Sequence, residues 1–395
     1  MAKKTIRDID WSGQRALVRV DFNVPFERGT TRISDDSRIR AAVPTINYLR
    51  EHGAGVVLCT HLGRPGGKPS KEAELGPIAE RLSSLLGAPV TYVHAAVEPA
   101  ARERAEALKP GEVLLLENIR FYPGEERNDP AFAKSLARLG TVYVNDAFGT
   151  AHRAHASTEG VARHLPAVAG FVMEREIRVL GGVLDNPERP LGAILGGAKV
   201  SDKLKVLQRL VGHVDALFIG GGMAATFLKA EDHEVGASLV EESLVDACAE
   251  IIEEAEDRGT KLYLPVDVVV AQKIEKNAPS HVARVDEVDD GWMILDIGPQ
   301  TAVHFSGALS TMRTVVWNGP MGVFEVPLFD EGTRALAEAI AASSGTTIIG
   351  GGSTAEAVEH LGLADRMTHV STGGGASLEF LEGKVLPGVA ALNDK

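Results

Sequence analysis

Short apolar runs alternate along this chain with longer segments in which apolar residues recur every three or four positions. In the first half the short runs are 15–24, 56–61, 90–94, 113–118 and 141–148. Segments of helical spacing lie between them at 38–51, 75–86, 100–107 and 131–139. Runs of this length alternating with helices predict βαβ units and a parallel sheet. The second half repeats the pattern, with strands expected at 191–195, 216–219, 261–270, 293–297, 314–317, 346–349 and 368–370.

Between the halves, residues 171–184 carry apolar side chains at helical spacing (Val172, Ile177, Val179, Leu180, Leu184), and D-N-P-E-R-P then breaks the helix with two prolines. A chain of 395 residues is long for a single core. The expected fold is therefore α/β: two doubly wound parallel-sheet (Rossmann-like) domains joined by a helical hinge. The boundaries expected are 1–169 for the first domain, 170–189 for the hinge and 190–384 for the second domain.

In open α/β sheets, ligands bind beyond the carboxyl ends of the strands. In the first half those ends carry charge: Asp21 and Asn23, His61 and Arg64, Arg120, then Asp146 and Arg153. In the second half they carry glycine: Gly196-Gly197, Gly220 to Gly222, Asn318-Gly319-Pro320, Gly350 to Gly352 and Gly373 to Gly375. One arginine after a strand is usually a solvated surface residue, but several at successive strand ends point to a compact polyanion. The glycine loops would present a row of exposed backbone, which suits a nucleotide and its phosphates. In M-T-H-V-S-T-G-G-G-A-S-L-E, Ser371 and Thr372 offer N-cap side chains before a helix at 376–382, stopped by Gly383. The glycines there make either a phosphate cradle or a ligand-free turn. Lys199 and Lys203, four apart where G-G-A-K-V-S-D-K enters a helix, would share one face and invite an anion. His152 and His155 have metal-ligand spacing but no third ligand nearby. The P-loop, the dinucleotide fingerprint, the protein-kinase catalytic loop and the GxSxG elbow are all missing.

Charge narrows the partners. A net charge of −13 argues against nucleic acid or an anionic membrane, which need a basic face. Two cysteines, Cys59 and Cys248, form no disulfide framework or zinc spacing, and the amino terminus has no apolar signal region. A cytoplasmic protein is expected.

The strings R-V-D-F-N-V-P, D-D-S-R-I-R-A-A-V-P-T-I, H-L-G-R-P, E-N-I-R-F-Y-P-G-E-E, V-N-D-A-F-G-T-A-H-R-A-H-A-S, G-G-A-K-V-S-D-K, W-N-G-P-M-G-V-F-E and S-T-G-G-G-A-S-L-E resemble phosphoglycerate kinases, in order from about residue 5 to 390. The resemblance implies a two-lobed monomer that moves a phosphoryl group reversibly between ATP and the carboxylate of 3-phosphoglycerate (1,3-bisphosphoglycerate + ADP = 3-phosphoglycerate + ATP), a glycolytic and gluconeogenic step. It also implies that residues 385–395 return to the first domain. Motif by motif, it assigns 3-phosphoglycerate to Asp21, Phe22, Asn23, Arg38, His61, Leu62, Gly63, Arg64, Arg120 and Arg153. The nucleotide, with Mg2+, falls on Gly197, Lys199, Lys203, Gly220, Gly221, Ile294, Asn318, Pro320, Glu325, Gly350, Gly351, Gly352, Ser353 and Thr354. Glu325 would take the ribose hydroxyls. Arg38, Lys199, Lys203 and Gly373, Gly374 and Gly375 would act on the transferring group, domain closure bringing them together.

Two positions depart from the family pattern. Ser353 stands where the family usually has an aspartate that helps hold Mg2+; Asp202 is the alternative ligand, and the metal ligands stay unassigned. Ile294 stands where a glycine is expected near the adenine and would narrow that pocket. Ser353 keeps open an alternative, a catalytically impaired relative acting as a two-lobed anion- or nucleotide-binding protein. A solute-binding protein and a nucleotide-dependent dehydrogenase are opposed by the missing export signal and the missing fingerprint.

Overall fold

The computed structural model describes residues 2–395, and Leu184 by its backbone alone, so the side chain read above as an apolar position of the linking helix lies outside the described residues. The chain divides into two compact units, Met1–Arg178 with Val385–Lys395, and Val179–Lys384.

The first unit is built on β1 (Arg15–Arg19), β2 (Gly55–Cys59), β3 (Val90–Tyr92), β4 (Val113–Leu115), β5 (Val142–Asn145) and β6 (Ala167–Ala169), all parallel in the order β3-β4-β2-β1-β5-β6. Strands β2, β4, β5 and β6 are buried at every residue, as strands covered by helices on both faces must be. This is why they read as unbroken apolar runs. The chain winds outward from β1 in one direction and from β5 in the other, so these neighbours flank the switch point at which a crevice opens.

The second unit has β7 (Leu191–Leu195), β8 (Ala216–Ile219), β9 (Lys261–Tyr263), β10 (Asp267–Ala271), β11 (Ser280–Arg284), β12 (Met293–Ile297), β13 (Thr314–Asn318), β14 (Thr346–Gly350) and β15 (His369–Val370). Six of them form a parallel sheet, β15-β14-β13-β7-β8-β9, whose switch point lies between β7 and β13. The run expected as one strand over 261–270 is two. Leu264-Pro265-Val266 ends β9, and β10 pairs antiparallel with β11 and β12 in a separate three-stranded sheet. The residues 293–297 belong to that small sheet rather than to the parallel one. Strand β11 went unread because its S-H-V-A-R is exposed at four of five positions, the composition of an edge. The short β6 was also unread.

The linking helix spans Phe171–Asp185, and the boundary between the units falls inside it. The last residues, Val385–Lys395, belong to the first unit: Gly388 N–H donates to Ala151 O (2.8 Å), and Asn393 N–H to Ala167 O (2.9 Å). Cys59 and Cys248 are both free and buried, and burial pushes each thiol up to about 12.

The loops that end β7 and β13 press backbone on backbone. Gly319, at φ +100°, could carry a Cβ only by overlapping the Gly196 carbonyl. Gly319→Ala is therefore expected to destabilise the protein by about 2 kcal/mol or more, from left-handed strain plus overlap. Urea unfolding followed by tryptophan fluorescence checks this; an unchanged midpoint would show that the loops can part freely.

Candidate active site

In the first unit, positively charged side chains converge at the carboxyl ends of β1, β2, β4 and β5. Arg19 closes β1 and is 1% exposed. Its Nε donates to Ser157 Oγ (2.8 Å), one terminal nitrogen to the Val20 carbonyl, and the other lies 3.1 Å from His61 Nδ1. That ring nitrogen is also 3.9 Å from Asp21 Oδ1, while Asp21 Oδ2 accepts from Arg38 (2.7 Å), in the first turn of the helix Ser37–Glu51. The surrounding loops are fixed to one another. Phe22 N–H donates to Thr60 Oγ1 (2.9 Å), Gly63 N–H to Asn23 Oδ1 (2.9 Å), and Leu62 N–H to Asn118 Oδ1 (3.3 Å).

Arg120 is 4% exposed; it donates to the Gly63 carbonyl (2.8 Å) and pairs with Glu126 (3.2 Å), yet its Nη2 is buried with no hydrogen-bond partner. A buried, unsatisfied donor costs about 1–3 kcal/mol. Burial, then the charges of Arg19, Arg120, Arg153 and Arg38, hold the His61 imidazole well below its usual range, so it is neutral at pH 7. His155 is pushed down to about 4, first by burial and then by Arg120, Arg19 and Arg153. Four guanidiniums thus act on one buried ring. The buried counter-charge is Glu125, which accepts from Ser157 N–H (2.9 Å) and Oγ (2.6 Å); burial raises its carboxyl and Arg19 opposes the rise. His152 and His155 join no metal cluster among the described residues. Arg64 is exposed, and Arg153 is half-buried with its Nε on His152 Nε2 (3.2 Å).

Arg19, Glu125 and Ser157 were not picked out from the sequence. Arg19 lay within the run 15–24 read as strand; its signal was a charge directly after the apolar A-L-V.

In the second unit the glycine loops meet at the switch point. Gly196 N–H donates to Asn318 O (3.0 Å), Gly197 N–H to Pro320 O (3.0 Å), Gly221 N–H to Met321 O (2.9 Å), and Gly319 N–H to Thr354 Oγ1 (2.6 Å). A Cβ on Gly221, at φ +68°, would lie 2.5 Å from Gly197 N. These glycines let loop pack on loop, and Gly196, Gly220, Gly221, Gly319, Gly350 and Gly373 are buried, so the expected row of exposed backbone is mostly interior. Gly352 and Gly374 differ: nothing lies within 4 Å of a Cβ built on either. Each stands at the start of a helix, Gly352–His360 and Gly375–Leu381, where N–H groups and the helix dipole favour an anion. The cap of the second helix is Gly374, not Ser371 or Thr372. Ser371 Oγ accepts from Gly373 N–H (3.1 Å) and pairs with Ser377 Oγ (2.5 Å), bracing the turn from within.

Lys199 and Lys203 do not share a helix face, because the helix begins at Leu204. Lys199 is exposed, whereas Lys203 is 9% exposed and donates to Asn318 Oδ1 (2.6 Å) and Asn318 O (2.8 Å). Burial lowers its pKa to about 8, with Asp202 pulling the other way. Asp202, Glu325 and Ser353 are exposed. Ile294 is 7% exposed and belongs to a buried cluster with Val268, Val270, Ala225 and Leu228.

A family model described as phosphoglycerate kinase matches residues 6–384. The phosphoglycerate kinases of Herpetosiphon aurantiacus and Moorella thermoacetica are 60% and 59% identical to the chain, each over 395 residues and the full length of both proteins. The solved phosphoglycerate kinase of Coxiella burnetii superposes with a TM-score of 0.90 at 42% identity, and that of Pyrococcus horikoshii with 0.85 at 35%, each covering 98% of both chains. With the family matched over nearly its whole length, the chain belongs to the phosphoglycerate kinase family and is a phosphotransferase.

Proposed function

We propose that this kinase carries out its family's reaction, the reversible transfer of a phosphoryl group between ATP and the carboxylate of 3-phosphoglycerate, with the work divided between its two units. The first unit binds the phosphoglycerate. The observation that carries this reading is the convergence of Arg19, Arg38, Arg120 and Arg153 on a neutral His61, with a buried Arg120 nitrogen that has no acceptor. A phosphate oxygen supplies that acceptor and the charge the guanidiniums require.

The second unit binds the nucleotide at the β7/β13 switch point, with phosphates toward Lys199, Lys203 and the helix starts at Gly352 and Gly374, and ribose hydroxyls on Glu325. Magnesium enters on the nucleotide. Among the described residues no group of three or more His, Cys, Asp or Glu could hold a resident ion, and the hydroxyl of Ser353 and carboxylate of Asp202 suit an ion that keeps phosphates and water as ligands.

The acceptor carboxylate is already ionised at pH 7, so no general base is required. The protein positions the reactants and neutralises charge on the transferring group. Arg38 acts from the first unit, and Lys203 and the glycine N–H groups from the second. We assign domain closure about the linking helix to bringing them together and excluding water. The enzyme is assigned to the cytoplasm, as a monomer. Among the described residues no helix is long and apolar enough to cross a membrane.

Arg38→Ala should lower kcat about 100- to 1000-fold while leaving ATP affinity nearly intact, since the side chain acts on transferring charge. Steady-state kinetics with isothermal titration of ATP checks it, and nearly unchanged turnover removes Arg38 from the mechanism. Lys203 is cationic below about pH 8 and neutral above it, so ADP affinity should hold between pH 7 and 8 and fall at higher pH, approaching about tenfold per unit. Lys203→Gln should bind more weakly with that fall abolished; a wild-type affinity flat to pH 9.5 would contradict the role. Ser353→Asp should lower the Mg2+ concentration needed for half-maximal turnover, because a carboxylate is a stronger ligand for a hard cation. An unchanged midpoint would remove residue 353 from metal handling.

A further inference from the structure

The linking helix Phe171–Asp185 begins without a side-chain cap of its own, because the residue before it is Gly170. Its first N–H groups would be left without partners. Two other elements supply them. Phe171 N–H donates to Thr45 Oγ1 (2.9 Å), and Asp146 Oδ1 accepts from Val172 N–H (2.8 Å) and, more weakly, from Met173 N–H (3.4 Å). The two side chains thus cap successive N–H groups of one helix start, while Asp146 Oδ2 is buried without a hydrogen-bond partner. Both are buried, at 0% and 2% exposure. Gly170 makes the approach possible: a Cβ there would lie 2.8 Å from Asp146 Cβ and overlap its carboxylate.

The two capping residues sit on the elements that carry the phosphoglycerate site. Thr45 lies in the helix Ser37–Glu51, seven residues after Arg38, so both stand on one face two turns apart. Tyr48, in the same helix, packs edge-on against Phe171 with ring centroids 5.2 Å apart. Asp146 follows β5 directly and leads into the loop bearing Arg153, and its N–H donates to the carbonyl of Arg19 (2.9 Å). Within the first unit, the start of the linking helix is thus bonded to the Arg38 helix and to the strand end beside Arg19.

We propose that Thr45 and Asp146 are positioning residues for phosphoryl transfer: as a shared cap, they couple the first turn of the linking helix to the helix that places Arg38. The inference rests on the role assigned above to Arg38. Position 170 cannot supply a cap of its own, because any side chain there would overlap Asp146. Here the cap is built from the site's own supports. A shift at the start of the linking helix therefore reaches Arg38 along one rigid face.

The test compares Thr45→Val, Thr45→Ser and Asp146→Asn with wild type, and repeats Thr45→Val in the Arg38→Ala background, measuring kcat, KM for both substrates and thermal stability. Thr45→Val keeps the shape and loses the hydroxyl; kcat is expected to fall about tenfold or more, the effect of misplacing a catalytic group by a fraction of an ångström to an ångström. KM for ATP should stay within about twofold, and Thr45→Ser should restore kcat. In the Arg38→Ala background the same change should cost less than about twofold, because coupled residues are not additive. A Thr45→Val enzyme with wild-type kcat and only a lower melting temperature would overturn the proposal, as would an equal fall in both backgrounds. Asp146→Asn carries the same expectations. Arg38→Ala with undiminished turnover would instead remove the reading of Arg38 itself.

Discussion

Four guanidinium groups held around a buried, neutral imidazole define the first unit. Like charges repel, and burying them costs solvation that water would have given. Arg19, at 1% exposure, is compensated by Ser157, by the Val20 carbonyl and at longer range by the buried Glu125 carboxylate. Arg38 has Asp21 and Arg120 has Glu126, but one nitrogen of Arg120 has no partner at all. The folded protein therefore carries an electrostatic cost that a bound anion would relieve. His61 and His155, both driven toward the neutral form, register the same field and keep two further charges out of the site.

The second unit, to which we assign the nucleotide, would meet the opposite requirement, close approach of backbone to phosphate. Most of its glycines achieve this indirectly: Gly196, Gly221 and Gly319 let three loops stack at the β7/β13 switch point, and that stack seats Lys203 against both oxygens of Asn318. The open helix starts at Gly352 and Gly374 stand on this foundation. A lysine whose charge is weakened by burial is ready to gain a phosphate partner, which restores its affinity for the proton.

The linking helix belongs to neither requirement alone. It has no capping residue of its own and takes Thr45 from the helix that bears Arg38 and Asp146 from the end of β5. Stability of the helix start and placement of Arg38 are thereby one problem, solved by the same hydrogen bonds.

The chain's own pattern determined the alternation of strand and helix, the two parallel sheets and the residues at the strand ends, because buried parallel strands and amphipathic helices write distinct periods into a sequence. It also carried the family's motifs, and with them the family. It did not reveal β11, whose exposed edge leaves no apolar signal, or the break that sends β10 and β12 into a second sheet, which is a matter of pairing rather than composition. Arg19 was hidden for a similar reason: a charged residue in a strand becomes a site residue only when other strands bring Ser157, His61 and Glu125 to it. The glycines were visible one by one, but which pack against other loops and which stand open is decided by neighbours distant in sequence. The same holds for Lys199 and Lys203, one exposed and one buried beside Asn318, and for the cap that Thr45 and Asp146 build across more than a hundred residues of chain. Local periodicity determines elements; burial, charge compensation and hydrogen bonding between elements exist only once the chain has folded.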